Sequence, residues 1–140
     1  MAMGNPTHRP PSRNEPKPQT GEPDAPKYLS AKARKHWKRL VPMLLQMRVL
    51  TQADGDSLAK LCAKLADVEE LETNIRKSGW LIKNPKTGAI HANPLVQIKL
   101  QQDKDLIVMF REFGLTPSAR SRIQIAPEDK RASVIEKMTA

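Results

Sequence analysis

Aromatic residues are scarce in this chain: Tyr28, Trp37, Trp80, Phe110 and Phe113 are the only five in 140 positions. A core with so few rings must rest on Leu, Ile, Val, Met and Ala, a helix-favouring selection, so a mainly α class with a small β element is expected. A single cysteine, Cys62, excludes a disulfide framework within one chain. Its place on an apolar helical stripe marks it as a small buried hydrophobe. His8, His36 and His91 lie far apart, so no metal-ligand spacing such as Cys-x-x-Cys or His-Glu-x-x-His exists. Glycine-rich phosphate loops are missing as well, and the acids Glu69, Glu70 and Glu72 follow one another on an ordinary helical pattern, where solvated charge is the expected role. No catalytic residue, metal or cofactor is therefore expected, and the chain is not read as an enzyme. No run approaches about 18 apolar residues, and Met1 to Gly21 has no apolar h-region, so neither a membrane span nor a signal peptide is supported. A cytosolic protein is the expectation.

Acids are missing from one stretch in particular. Tyr28 to Arg48 carries six Lys or Arg and no Asp or Glu, whereas Thr51 to Ser78 carries six acids against four bases. The formal net charge of +9 is thus concentrated in one segment, which favours a polyanionic partner.

What is present is helical periodicity. Met1 to Lys27 holds seven of the 12 prolines and few apolar side chains, the composition of a flexible arm. It reads either as a plain linker or as an arm in which Arg9 and Arg13 are accessory candidates for DNA contact, diluted by Glu15, Glu22 and Asp24. A helical domain is expected over 28–123 and a tail without a clear stripe over 124–140. Ser30 caps a first helix (about 30–47) whose apolar face is Ala33, Trp37, Leu40, Val41, Leu44 and Leu45. Pro42 inside it predicts a kink near Val41 or a fresh turn. Lys32, Arg34, Lys35, Lys38 and Arg39 fall on the other side and oppose the helix dipole, with no local acid to relieve them. Two readings stand side by side: a phosphate-binding face, or a solvated face balanced by Asp67, Glu69, Glu70 and Glu72 of an antiparallel neighbour.

That neighbour, about 51–78, repeats Leu58, Leu61, Cys62, Leu65, Val68, Leu71 and Ile75 at steps of three and four. At 1.5 Å per residue it spans roughly 40 Å, longer than a domain of this size needs. Part of the stripe Leu58, Leu61, Leu65, Val68 and Ile75 is therefore expected to face a second copy as well as the core. Trp80 to Ala92 changes period around Asn84, Pro85, Lys86, Thr87 and Gly88, which predicts a β-hairpin over about 80–92, with Trp80 used for packing. Asn93 and Pro94 start a third long helix (about 94–113), with Leu95, Ile98, Leu106, Met109, Phe110 and Phe113 as its buried face and Gly114 as its stop. Thr116 and Pro117 then start a short C-terminal helix. Arg120 and Arg122 beside that cap are candidates for an anion or for a carboxylate of a neighbouring subunit.

Several short pieces, in order, resemble one known family. Gly4-Asn5-Pro6 with Arg9-Pro10, Asn14-Glu15-Pro16-Lys17-Pro18, Ala25-Pro26, Leu29-Ser30, Trp37, Leu50-Thr51 with Asp54, and Asn93-Pro94 are followed by Phe113-Gly114-Leu115-Thr116-Pro117-Ser118-Ala119-Arg120-Ser121-Arg122. Over residues 4–123 the chain resembles the P27-like group of small terminase subunits of tailed bacteriophages and prophages. The resemblance implies a protein without catalytic activity that acts in the bacterial host cytoplasm. Such subunits form homo-oligomeric rings, here expected to hold about nine copies, bind double-stranded viral DNA and deliver it to the large subunit, which carries the ATPase and nuclease. Ring repetition also multiplies weak contacts, so a modest basic patch on each copy suffices. The alternatives left open are a helix-turn-helix regulator, for which the acidic second helix is a poor reader, and a ring adaptor without direct DNA contact.

Overall fold

The computed structural model describes residues 21–122. Three helices carry the fold: α1 (Ala31–Gln46), α2 (Gly55–Ser78) and α3 (Pro94–Glu112). Strands β1 (Leu81–Lys83) and β2 (Ile90–Ala92) form a hairpin between α2 and α3, and a short α4 (Pro117–Arg120) follows. The expected α-class architecture with one small β-hairpin is what the chain adopts. Residues 1–20 of the expected arm, with Arg9 and Arg13, and the tail from 123 onward lie outside the described residues, whereas Pro23 is buried and Ala25 packs against the core.

Each helix end is set by a few local contacts. Ser30 Oγ accepts from Ala33 N and opens α1. The helix runs unbroken through Pro42, so no second start occurs there. It closes with Arg48 N donating to Leu45 O and Val49 N donating to Leu44 O, the paired bonds of a Schellman cap. That cap needs a left-handed residue, and Arg48 supplies it at φ 57° without being glycine. Thr51 then donates from N and Oγ1 to the Asp54 carboxylate. This pairing opens a 3-10 turn, Gln52–Asp54, and α2 itself begins only at Gly55.

α2 is the middle layer: α1 packs on one flank and α3 on the other. Leu58, Leu61, Val68 and Ile75 are buried inside the single chain, and the partly buried Leu65 packs against the same core. The expectation that part of this stripe faces another copy is therefore not needed to cover it, because two helices of the same chain already do. The third face of α2 is exposed and mainly polar, with Asp56, Lys60, Asp67, Glu70, Asn74 and Lys77. Each Leu fully removed from water contributes on the order of 1.5–3 kcal/mol, and Leu44, Leu58 and Leu61 are such residues. Cys62 is buried among them, and burial pushes its thiol up to about 11 against the opposing charge of Arg39. It remains a neutral thiol and packs as a hydrophobe.

The uncovered apolar surface lies elsewhere. On α3, Ile98, Leu100, Ile107 and Val108 are about half exposed, so Ile98 is not part of the buried face. In the hairpin, β1 and β2 pair antiparallel with Ile82 opposite His91, and Trp80, Leu81 and Ile90 are about two-thirds exposed. The packing expected of Trp80 is not supplied within one chain: it borders a shallow depression with Ile75, Arg76 and Lys99.

Candidate nucleic-acid interface

A helix places successive side chains 100° apart, so the buried line of α1 (Ala33, Trp37, Leu40, Val41, Leu44) fixes where its bases point. Lys32, Lys35, Lys38 and Arg39 fall in one arc of about 120° centred opposite that line, and all four are exposed. Their Cα atoms span about 10 Å along the axis, the rise of roughly three nucleotides of one strand. Arg34 lies to the side, where its Nη2 donates to the carbonyls of Lys27 (3.3 Å) and Leu29 (3.5 Å). It ties the entering chain to α1.

Of the balancing acids expected from α2, Asp67 and Glu70 lie on its exposed third face and Glu72 turns to α3. Only Glu69 reaches α1, and it meets His36, whose Nε2 lies 2.9 Å from Glu69 Oε1. Arg39 Nη2 donates to His36 Nδ1 at 3.2 Å. Arginine only donates, so Nδ1 is the acceptor and the ring proton sits on Nε2, facing the carboxylate. His36 thus couples Arg39 to Glu69 and pins α1 to α2. Its signal in the sequence was its position three residues before Arg39, although nothing there identified its partner on α2. Glu72 turns the other way, to Lys99 of α3 at 3.4 Å and Arg76 at 3.9 Å. Lys32, Lys35 and Lys38 have no carboxylate partner among the described residues.

The α2–α3 seam is closed by its own charges. Lys64 Nζ meets Asp105 Oδ2 at 3.0 Å and also donates to Gln102, and Lys99, which reaches Glu72 across the seam, is held within α3 by Asp103 Oδ2 at 2.6 Å. The hydrogen bond from Lys64 holds the Asp105 carboxyl below the usual carboxylate range, and the bond to Asp103 raises Lys99. A depressed carboxyl stabilises the fold above its unfolded value and loses that contribution as pH falls through its folded value. Replacing Lys64 with Met is therefore expected to raise the Asp105 titration, followed by carbon-detected NMR, back toward the ordinary carboxylate range. An Asp105 curve that Lys64→Met leaves in place would show that Lys64 is not the cause.

Arg120 and Arg122 are both exposed, and Arg120 Nη1 donates back to Leu115 O at 3.4 Å. No group of His, Cys, Asp and Glu suited to a metal occurs among the described residues, and none of the described helices is long and apolar enough to cross a membrane.

Residues 33–130 match the family described as phage terminase, small subunit. The match spans well over half of the chain. This protein belongs to the phage terminase small subunit family. Its role accordingly falls within phage DNA packaging, and small terminase subunits are in general not catalytic. No curated protein and no solved structure matches the chain. In this small terminase subunit the matched region takes in nearly all of α1, together with α2, the hairpin, α3 and α4.

Proposed function

We propose that this small terminase subunit binds double-stranded viral DNA through backbone phosphates, using the outward face of α1, and presents that DNA as a homo-oligomeric ring to the large terminase subunit in the host cytoplasm. It is itself non-catalytic. The observation that carries the DNA contact is the unneutralised state of Lys32, Lys35 and Lys38, held together on a face that no described acid reaches. Lys32, in the first turn of α1, costs about 0.3 kcal/mol or more against the dipole, a cost that a bound phosphate offsets. Arg39 assists from the edge of the arc, and Arg34 acts as a brace for the chain entering the helix. Self-assembly is supported by the apolar residues that one chain leaves uncovered on α3 and the hairpin.

The test is a salt series of duplex DNA binding followed by fluorescence anisotropy. Each phosphate neutralised adds about 0.9 to the slope of log affinity against log salt. Exchanging Lys32, Lys35 and Lys38 for Glu is expected to lower the slope by about 2–3 per subunit engaged and to weaken binding most at low salt. Native mass spectrometry gives the subunit number of the same sample. An unchanged slope would assign DNA contact elsewhere, and a ring that binds the large subunit but no DNA would identify an adaptor.

A further inference from the structure

α3 ends at a turn of defined geometry. Gly114 takes φ 68°, its N donates to Arg111 O at 3.1 Å and Leu115 N donates to Phe110 O at 2.8 Å, a second Schellman cap. Phe113 and Gly114 are buried and Leu115 packs on the core, so the chain is held as it reverses into α4. Thr116 Oγ1 then accepts from Ala119 N. The reversal brings Arg111, Ser118 and Arg122 to the walls of one open cleft, which Ala119 and Glu112 also line.

Neither arginine has a carboxylate partner among the described residues, although Glu112 borders the same cleft. Two guanidinium groups against one carboxylate leave the cleft with a net charge of +1. Ser118 adds a hydroxyl that donates to no described acceptor. Arg120, two residues before Arg122, is turned away to the Leu115 carbonyl and takes no part.

We propose that this cleft is a second phosphate site, in which Arg111 and Arg122 grip one backbone phosphate of DNA and Ser118 donates to it. The inference rests on the DNA-binding reading above and adds to it a contact at the opposite end of the sequence from α1. Forked guanidinium donors arriving from two segments suit the divergent oxygens of a phosphodiester. Glu112 is a weak internal competitor that sets the affinity of the site.

The experiment uses the full chain and labelled duplex DNA over a salt series. Arg111→Ala with Arg122→Ala is expected to lower the slope by about 0.9, one phosphate, whereas Arg120→Ala leaves it unchanged. Glu112→Gln is expected to tighten binding several-fold with the slope retained. Thermal unfolding of each variant separates loss of contact from loss of fold. A slope that Arg111→Ala with Arg122→Ala leaves intact, while the α1 lysine exchanges reduce it, overturns the second site and spares the α1 reading. A changed native mass with an unchanged slope also overturns it, assigning the arginines to a carboxylate of another copy. A wild-type chain that binds no DNA overturns both.

Discussion

Replacing Asn93 with Ala is expected to cost about 2–3 kcal/mol and to lower the melting temperature by roughly 10–15 °C. Asn93 is almost wholly buried, and both of its amide donors and its carbonyl oxygen are hydrogen-bonded. Its Oδ1 accepts from Leu95 N at 3.0 Å and caps α3. Its Nδ2 donates to Ser78 Oγ and to Gly79 O, both at 2.8 Å, and its backbone N donates to Trp80 O. One side chain therefore joins the end of α2 to the start of α3 and fixes where the hairpin leaves. The cap contributes about 1 kcal/mol and each of the other two bonds about 0.5–1.5 kcal/mol.

Asn93→Asp separates these parts. The carboxylate keeps the acceptor, and a negative charge at the helix start is favourable, but it faces the Gly79 carbonyl with no proton to donate. Its loss should be intermediate at pH 7. Because burial beside a carbonyl raises the carboxyl pKa above the unfolded value, the penalty should shrink as pH falls and the protonated group regains a donor. Urea unfolding at pH 7 and pH 4 measures both effects. A loss for Asn93→Ala well below 1 kcal/mol would show that the hairpin and α3 are joined by other contacts.

Asn93 also marks how far the fold can be read from residues alone. The pair Asn93-Pro94, the Thr116-Pro117 pair, Gly79 and Gly114 announce helix ends because a cap is made within a few residues of itself. The hairpin is visible for the same reason, through Asn84 to Gly88. Arg48 gave no such sign, since its left-handed φ of 57° is a conformation that glycine usually announces. The charges resisted reading for a different reason. Whether Glu72 meets α1 or α3 depends on the rotation of α2 between its neighbours, and only the packed bundle shows that Lys99 takes it while Glu69 takes His36. α3 was ambiguous because apolar residues lie all round it, so periodicity alone did not exclude Ile98 from the core. At the candidate interface, the basic arc of α1 was legible from its lack of acids. The partnership of Arg111 with Arg122 was not, since it depends on the chain reversing at Gly114.

The stripe on α2 offers the second large effect. Leu61 has no exposed surface, and Leu100 of α3 is half exposed. Leu61→Ala should destabilise the protein by about 3 kcal/mol, the transfer term of the lost side chain plus the cavity left in a bundle that cannot fully collapse. Leu100→Ala removes contacts from one side only and should cost about 1 kcal/mol or less in the unassembled chain. The decisive comparison is concentration. If the α2 stripe is covered by α1 and α3 of its own chain, the loss from Leu61→Ala is the same at low and high protein concentration. If it were an inter-copy face, the loss would grow with assembly, because mass action adds the binding energy of the partner to the apparent stability. Denaturant titrations at two concentrations a hundredfold apart distinguish these outcomes. A concentration-independent loss makes α2 the spine on which α1 and α3 are mounted, and any assembly must then use the surfaces these two helices and the hairpin turn outward.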